Sequence, residues 1–194
     1  MKKTFEMVVK GNCSFDLKTL CNWRNERIGD HFDWLLRQGA TPSLNTGPSS
    51  DHSGGGRYIH IEASYPAKQN QFAELLSPFI WGPKCLHFFY HMYGLHIGRL
   101  DVLVRATGQR QNYLTWQRTG NQGNQWRKAV VFIPFVGEFQ VALQGVAGQS
   151  YQGDIAVDDV ILTDGMCVDQ SETSVYIKSW NKESLKIPNS KTTS

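Results

Sequence analysis

Short apolar runs broken by Gly, Pro, Asn and Ser recur along this chain, and where they alternate with polar residues the period is two. Tyr58–Ala63 sets Ile59, Ile61 and Ala63 on one face and Tyr58, His60 and Glu62 on the other, then stops at a loop at Tyr65-Pro66. Leu86–Tyr93 is aromatic on both faces, the composition of a central strand covered above and below, and Gly94 closes it. Leu100–Arg105 and Tyr113–Trp116 follow as further strands. A turn rich in Gly and Asn, Gly120–Asn124, leads into Trp126–Phe135, with Pro134 marking an edge or an end. Phe139, Val141 and Leu143 alternate with Gln140, Ala142 and Gln144, which predicts a strand with one face in water. Roughly eight to twelve short strands with no long helix predict an all-β antiparallel sandwich, and no internal repeat of solenoid or propeller period is present.

The run Gly153–Leu162 departs from this pattern. It is apolar on both sides, as in a strand buried on both faces, yet it holds Asp158 and Asp159 side by side. Two carboxylates there require protonation, strong donors or a cation to offset their desolvation. Near the other end, Asp16 follows Cys13-Ser14-Phe15, and Asp51 lies in the polar loop Gly47–Ser53. Asp16, Asp51, Asp158 and Asp159 are therefore candidate metal ligands, with loop carbonyls near His52 completing an all-oxygen shell suited to Ca²⁺ (or Na⁺). The alternative is that Asp16 and Asp51 only bond turn amides while one of the acidic pair meets an Arg. No organic cofactor is expected.

At 194 residues the chain suits one domain with tails. Its formal charge of +3 comes from Lys and Arg scattered singly among acids, without a basic stripe, so no nucleic-acid partner is expected. No stretch approaches the roughly 20 apolar residues of a spanning helix. Four cysteines, Cys13, Cys21, Cys85 and Cys167, are spaced singly without C-x-x-C knuckles, which favours two disulfides and an oxidising compartment over a zinc cage. The first ten residues carry Glu6 in an apolar stretch too short for a signal-peptide core. The expectation is a fragment of a larger extracellular protein. Residues 1–12 read as a short lead and 168–194 as a polar Ser/Thr/Lys-rich tail or linker, in which Val175–Ile177 forms at most one short strand.

The span Cys13–Cys167 resembles the MAM domain, an extracellular module named after meprin, a neuropilin antigen and the receptor phosphatase mu. The resemblance rests on Cys13-x-Phe15-Asp16, Cys21-x-Trp23, Asp33-Trp34, Gly47-Pro48 leading to Asp51-His52, Tyr58 with Glu62, and Leu76-Ser77-Pro78. It continues through Cys85-Leu86-x-Phe88-x-Tyr90-His91-Met92-x-Gly94, Trp116, Gly120–Asn124-x-Trp126 and Gly153-Asp154-Ile155-Ala156-x-Asp158-Asp159. It implies a jelly-roll of two antiparallel sheets, disulfides Cys13 to Cys21 and Cys85 to Cys167, and a structural ion at the acid-bearing end. Asp16 stands where the family commonly has Glu, and Ser53 where it has Thr.

The resemblance also implies a noncatalytic module that supports adhesion, receptor association or oligomer assembly, with a protein partner that includes a second copy of itself. Alternatives are an accessory domain of a larger ectoenzyme, such as a metalloprotease or receptor phosphatase, and a glycan-binding jelly-roll. Ser49, Ser50, Asp51 and His52 have hydrolase residue types, but adjacent loop residues make no triad and no Gly-x-Ser-x-Gly elbow is present. His87 and His91 share a strand face about 13 Å apart, too far to share a metal. Gly54-Gly55-Gly56 reads as a flexible loop, since no P-loop Lys-Ser/Thr accompanies it. Asn12-Cys13-Ser14 is a glycosylation sequon at Asn12. Trp23, Trp34, Trp116 and Trp126 are expected in the core with satisfied indole N–H groups, leaving Trp81 and Trp180 as interface candidates.

Overall fold

The computed structural model describes residues 11–168. Val175–Ile177 and Trp180 lie outside the described residues. Eleven strands run in order: β1 (Arg24–Asn25), β2 (Leu35–Arg37), β3 (Tyr58–Ile61), β4 (Phe72–Leu76), β5 (Ile80–Trp81), β6 (Lys84–Met92), β7 (Arg99–Ala106), β8 (Tyr113–Thr119), β9 (Gly123–Ile133), β10 (Glu138–Val146) and β11 (Ile155–Asp164). One sheet has the order β1-β4-β10-β7-β8, with β5 also pairing β10, and the other has β2-β3-β11-β6-β9. All pairings are antiparallel. No helix occurs among the described residues, and the two sheets face each other as a jelly-roll sandwich.

Alternation decides which residues meet between the sheets. Leu86, Phe88 and Tyr90 of β6, Val131 and Ile133 of β9, and Val157 and Leu162 of β11 pack against Leu75, Val102, Val104, Val141 and Leu143 of the other sheet. Each large side chain so buried contributes about 1.5–3 kcal/mol. The Trp34 indole N–H reaches across to donate to the Leu143 carbonyl at 3.1 Å. Room for it depends on Gly145, where a Cβ would stand 2.9 Å from both Trp34 and Ile61.

The aromatic strand is central, as its two apolar faces predict, and it extends to Lys84 because β9 and β11 flank it on both sides. The expectation of a half-wetted strand at Phe139–Gln144 is corrected. Gln140 and Ala142 are buried and Gln144 is half-buried. β10 lies between β4 and β7, so its outer polar groups meet each other instead of water. Gln140 Nε2 donates to the Ser77 carbonyl at 2.6 Å and Gln144 Nε2 to Glu74 Oε1 at 2.7 Å, while Arg105 pairs with Glu26 and Glu74.

The disulfides join Cys13 to Cys21 and Cys85 to Cys167, with Cα–Cα distances of 5.8 and 5.0 Å. β3 pairs β11 only over Ile155–Val157. Beyond that point the N-terminal segment takes over the same edge: Cys13 bridges Val160, and the Leu162 N–H donates to Asn12 Oδ1 at 2.9 Å.

Candidate functional site

The outer face of the five-stranded sheet divides into two halves with different chemistry. Ladder pairings give its rows in order: Leu35–His60–Ala156–His91, then Asp158–Phe89–Lys128, then Ile161–His87–Val130, and last Thr163–Cys85–Phe132.

The segment 39–57 roofs the first half. The Tyr58 hydroxyl donates to the Gly39 carbonyl at 2.7 Å, Gly47 N–H and the Thr46 hydroxyl both donate to the Tyr93 carbonyl, and the Trp126 indole N–H donates to the Ser50 carbonyl at 3.0 Å. The His52 ring stacks on Phe89 with centroids 3.4 Å apart. Under this roof Tyr58, His60 and His91 are 0%, 3% and 2% exposed. Burial, partly offset by a hydrogen bond with Asn124, pushes the His91 imidazole down to about 4.

The four predicted acids gather at the margin of this roof. A β-bulge lies between Asp158 and Ile161, and Asp159 has φ +48°. On a regular strand two adjacent side chains point to opposite faces; the bulge instead turns both acids toward His52. Asp158 Oδ2 accepts the His52 backbone N–H at 3.0 Å, and Asp159 Oδ2 lies 2.9 Å from His52 Nδ1. Burial, against the bond from His52 and with repulsion from Asp159 and Asp51 added, pushes the Asp158 carboxyl up to about 7.

Asp51 is also buried, yet bonds from the Ser53 hydroxyl and from the amides of Ser53, Gly54 and Gly56 outweigh burial and hold its carboxyl below the usual range. Asp16 Oδ1 accepts the Arg57 N–H at 2.9 Å. Both carboxylates face Gly56, where a Cβ would stand 1.9 Å from Asp16 Oδ1 and 3.1 Å from Asp51 Oδ2. The reading of Gly54–Gly56 as a flexible spacer is therefore corrected at Gly56, which is glycine because two carboxylates occupy the space beside it. Asp16 and Asp51 are thus neighbours, Asp158 lies near enough to Asp51 to feel its charge, and Asp159 is committed to the His52 ring. The His52 ring engages Asp159 and stacks on Phe89, and among the described residues no serine hydroxyl bonds to it.

A tighter set sits elsewhere under the roof. One ligand atom each from His60, Glu62 and Asp154 lies within 4.8 Å of the others. The period-two reading put His60 and Glu62 on one face of β3. It could not supply Asp154, which the antiparallel pairing of β3 with β11 brings alongside.

Among the described residues no segment covers the second half of the face. Val130, Phe132 and Ile161 are 48%, 38% and 42% exposed and flank His87 and Cys85. The signal for this strip is in the sequence, since Val130-Val131-Phe132-Ile133 is apolar on both faces of β9. Of the tryptophans, Trp23 and Trp34 are buried with their indole N–H groups bonded, Trp126 is half-buried with its own bonded, and Trp116 packs at the core margin with Arg118 5.0 Å over its ring. Trp81 is 69% exposed, in line with its place among interface candidates. Asn12 is exposed on the edge beside β11.

The family profile for the MAM domain, meprin/A5/mu, matches residues 13–168. The chain is 42% identical over 165 residues to MAM domain-containing glycosylphosphatidylinositol anchor protein 1 of Gallus gallus, covering 80% of this chain and 17% of that protein. It is 39% identical over 178 residues to MAM domain-containing glycosylphosphatidylinositol anchor protein 2 of Homo sapiens, covering 82% and 18%. It is 40% identical over 155 residues to neuropilin-1a of Danio rerio, covering 76% and 16%. The chain thus spans 16–18% of the length of these relatives. Among solved structures it is similar to the K2 cleaved adhesin domain of Lys-gingipain, with a TM-score of 0.60, 19% identity, and coverage of 78% of this chain and 98% of that one. At that identity the likeness is one of fold.

Proposed function

The chain belongs to the MAM domain family, and from that premise we propose that it is a noncatalytic interaction module whose protein partner docks on the bare half of the five-stranded sheet. The two disulfides and the family make it an extracellular domain. The observation that carries the docking surface is the strip of Val130, Phe132 and Ile161, exposed on a sheet face whose other half is roofed. Apolar side chains left contiguous on an otherwise polar surface mark contact sites, and a rigid sheet presents them at little cost in ordering entropy.

The test uses labelled full chain on cell surfaces, beside its self-association in ultracentrifugation. Val130→Ser with Ile161→Ser should leave melting almost unchanged and abolish binding that is sensitive to surface proteolysis. Unchanged binding by the double variant overturns the docking surface. Binding removed by glycosidases instead favours the glycan alternative. That reading has a groove of about 450 Å³ lined by Asn70, Arg99, Gln117 and Gln149, which offers hydrogen bonds without a Trp or Tyr platform. An ectoenzyme-accessory role would use the same strip against a catalytic neighbour.

We also propose that Asp16, Asp51 and Asp158 hold a structural Ca²⁺ between the N-terminal segment, the roof and β11. Two carboxylate oxygens converging beside Gly56 fit the hard, oxygen-only preference of this ion, and the third buried carboxyl supplies charge that a cation would compensate. Na⁺ in its place would leave the domain insensitive to Ca²⁺ chelation.

A further inference from the structure

The roof encloses a second group of polar side chains, unrelated to the acids at its margin. His60 and Asp154 are 3% and 0% exposed. His60 Nδ1 and Asp154 Oδ2 are both buried without a hydrogen-bond partner, although such atoms are nearly always satisfied. The carboxylates have neighbours besides, among them the Thr41 hydroxyl beside Asp154. Asp154 Oδ1 accepts the Ala63 N–H at 3.0 Å, and its own N–H donates to the Thr46 hydroxyl at 2.9 Å. Glu62 Oε1 accepts the Ser64 N–H at 3.1 Å and the Ser43 hydroxyl at 3.3 Å.

We propose that His60, Glu62 and Asp154 form a Zn²⁺ site, distinct from the Ca²⁺ cradle. One imidazole nitrogen and two carboxylates make a mixed donor set that suits Zn²⁺ and not Ca²⁺. Ligand atoms on a tetrahedral zinc lie roughly 3.4 Å apart for bonds of about 2.0–2.2 Å. The three atoms, all within 4.8 Å of one another, stand close enough to that spacing for one ion to draw them together. The existing bonds to Asp154 Oδ1 and Glu62 Oε1 hold the two carboxylates in place as outer-shell partners do. Three protein ligands leave a fourth position, and Glu62, the half-buried member, marks the side from which water reaches it.

The test is calorimetric titration of Zn²⁺ into the oxidised, chelator-stripped full chain with Ca²⁺ held saturating. One Zn²⁺ per chain is expected, and Co²⁺ in its place should give the visible absorption of a tetrahedral site. His60→Gln and Glu62→Gln should each weaken Zn²⁺ binding at least about tenfold, the second at a position whose partial exposure spares the fold. Asp51→Asn should leave Zn²⁺ affinity unchanged while removing the Ca²⁺ response. Failure to bind Zn²⁺, or binding that survives both substitutions, overturns the site.

Discussion

The two halves of one sheet face solve the same problem differently. Both lie over the same core strands, β11, β6 and β9. The roofed half carries Tyr58, His60, Asp158 and His91, polar groups whose burial is costly, and the chain folds the nineteen-residue polar segment 39–57 back over them, roughly at the length of a long functional loop. The bare half carries aliphatic and aromatic side chains that need no hydrogen bonds, and it is secured by a disulfide. Covering a polar face from within creates buried sites, whereas leaving an apolar face open creates a contact surface.

The largest effect should come from cutting the brace of the bare half. Cys85→Ser should cost about 4–5 kcal/mol on the chain-entropy argument, against about 2–3 for Cys13→Ser, read as secretion yield and melting temperature. Equal losses would mean that loop length does not separate the two bridges.

Acid acts on the roofed half in two opposed ways. The Asp158 carboxyl, pushed up to about 7, takes up its proton in the folded chain before the unfolded one and so adds stability as the pH falls, whereas His91 subtracts it. The His91 imidazole titrates near 4 in the fold and near 6.5 when unfolded, so the unfolded chain takes up the proton first. On His91's account, stability present above about pH 6.5 is then lost progressively as the pH falls toward 4, by about 3 kcal/mol in all. His91→Gln should flatten that part of a stability-against-pH curve measured by denaturant titration.

Ca²⁺ should act on the same half. At a hundredfold over its dissociation constant it should stabilise the domain by about 2.7 kcal/mol, seen as a rise in melting temperature that Asp51→Asn abolishes. On the bare half, Val130→Ser with Ile161→Ser should change stability by roughly 0.5 kcal/mol per site or less, as exposed positions do, while removing binding. A large loss of stability there would show the strip to be core and not contact surface.

What the sequence discloses follows the same division. Alternation is local, so β3, β6 and the acid-bearing β11 are legible from their own residues, and the apolar strip is visible as a run without a polar face. The family resemblance supplied the disulfide partners that spacing left open. The covered outer face of β10 was not legible, because Gln140 and Gln144 look like water-facing residues until Glu74 of β4 and Ser77 just beyond it arrive from 70 and 63 positions away. Nor was the His60–Glu62–Asp154 group, whose members meet only through strand pairing. The roof itself reads as a polar loop, since nothing within it states that its carbonyls receive Trp126, Tyr58 and their neighbours.

The bulge in β11 has a consequence for how the chain can change. Between Asp158 and Ile161 the strand advances three positions while β6 advances two, from Phe89 to His87. Asp159 is therefore surplus to the ladder. Excising it would restore an even count and still leave Val160 and Leu162 inward and Ile161 outward, because inside–outside parity past that point already assumes one residue too many. The sheet register does not require the extra letter; what it adds is a second carboxylate, 2.9 Å from His52 Nδ1, at the margin of the roof.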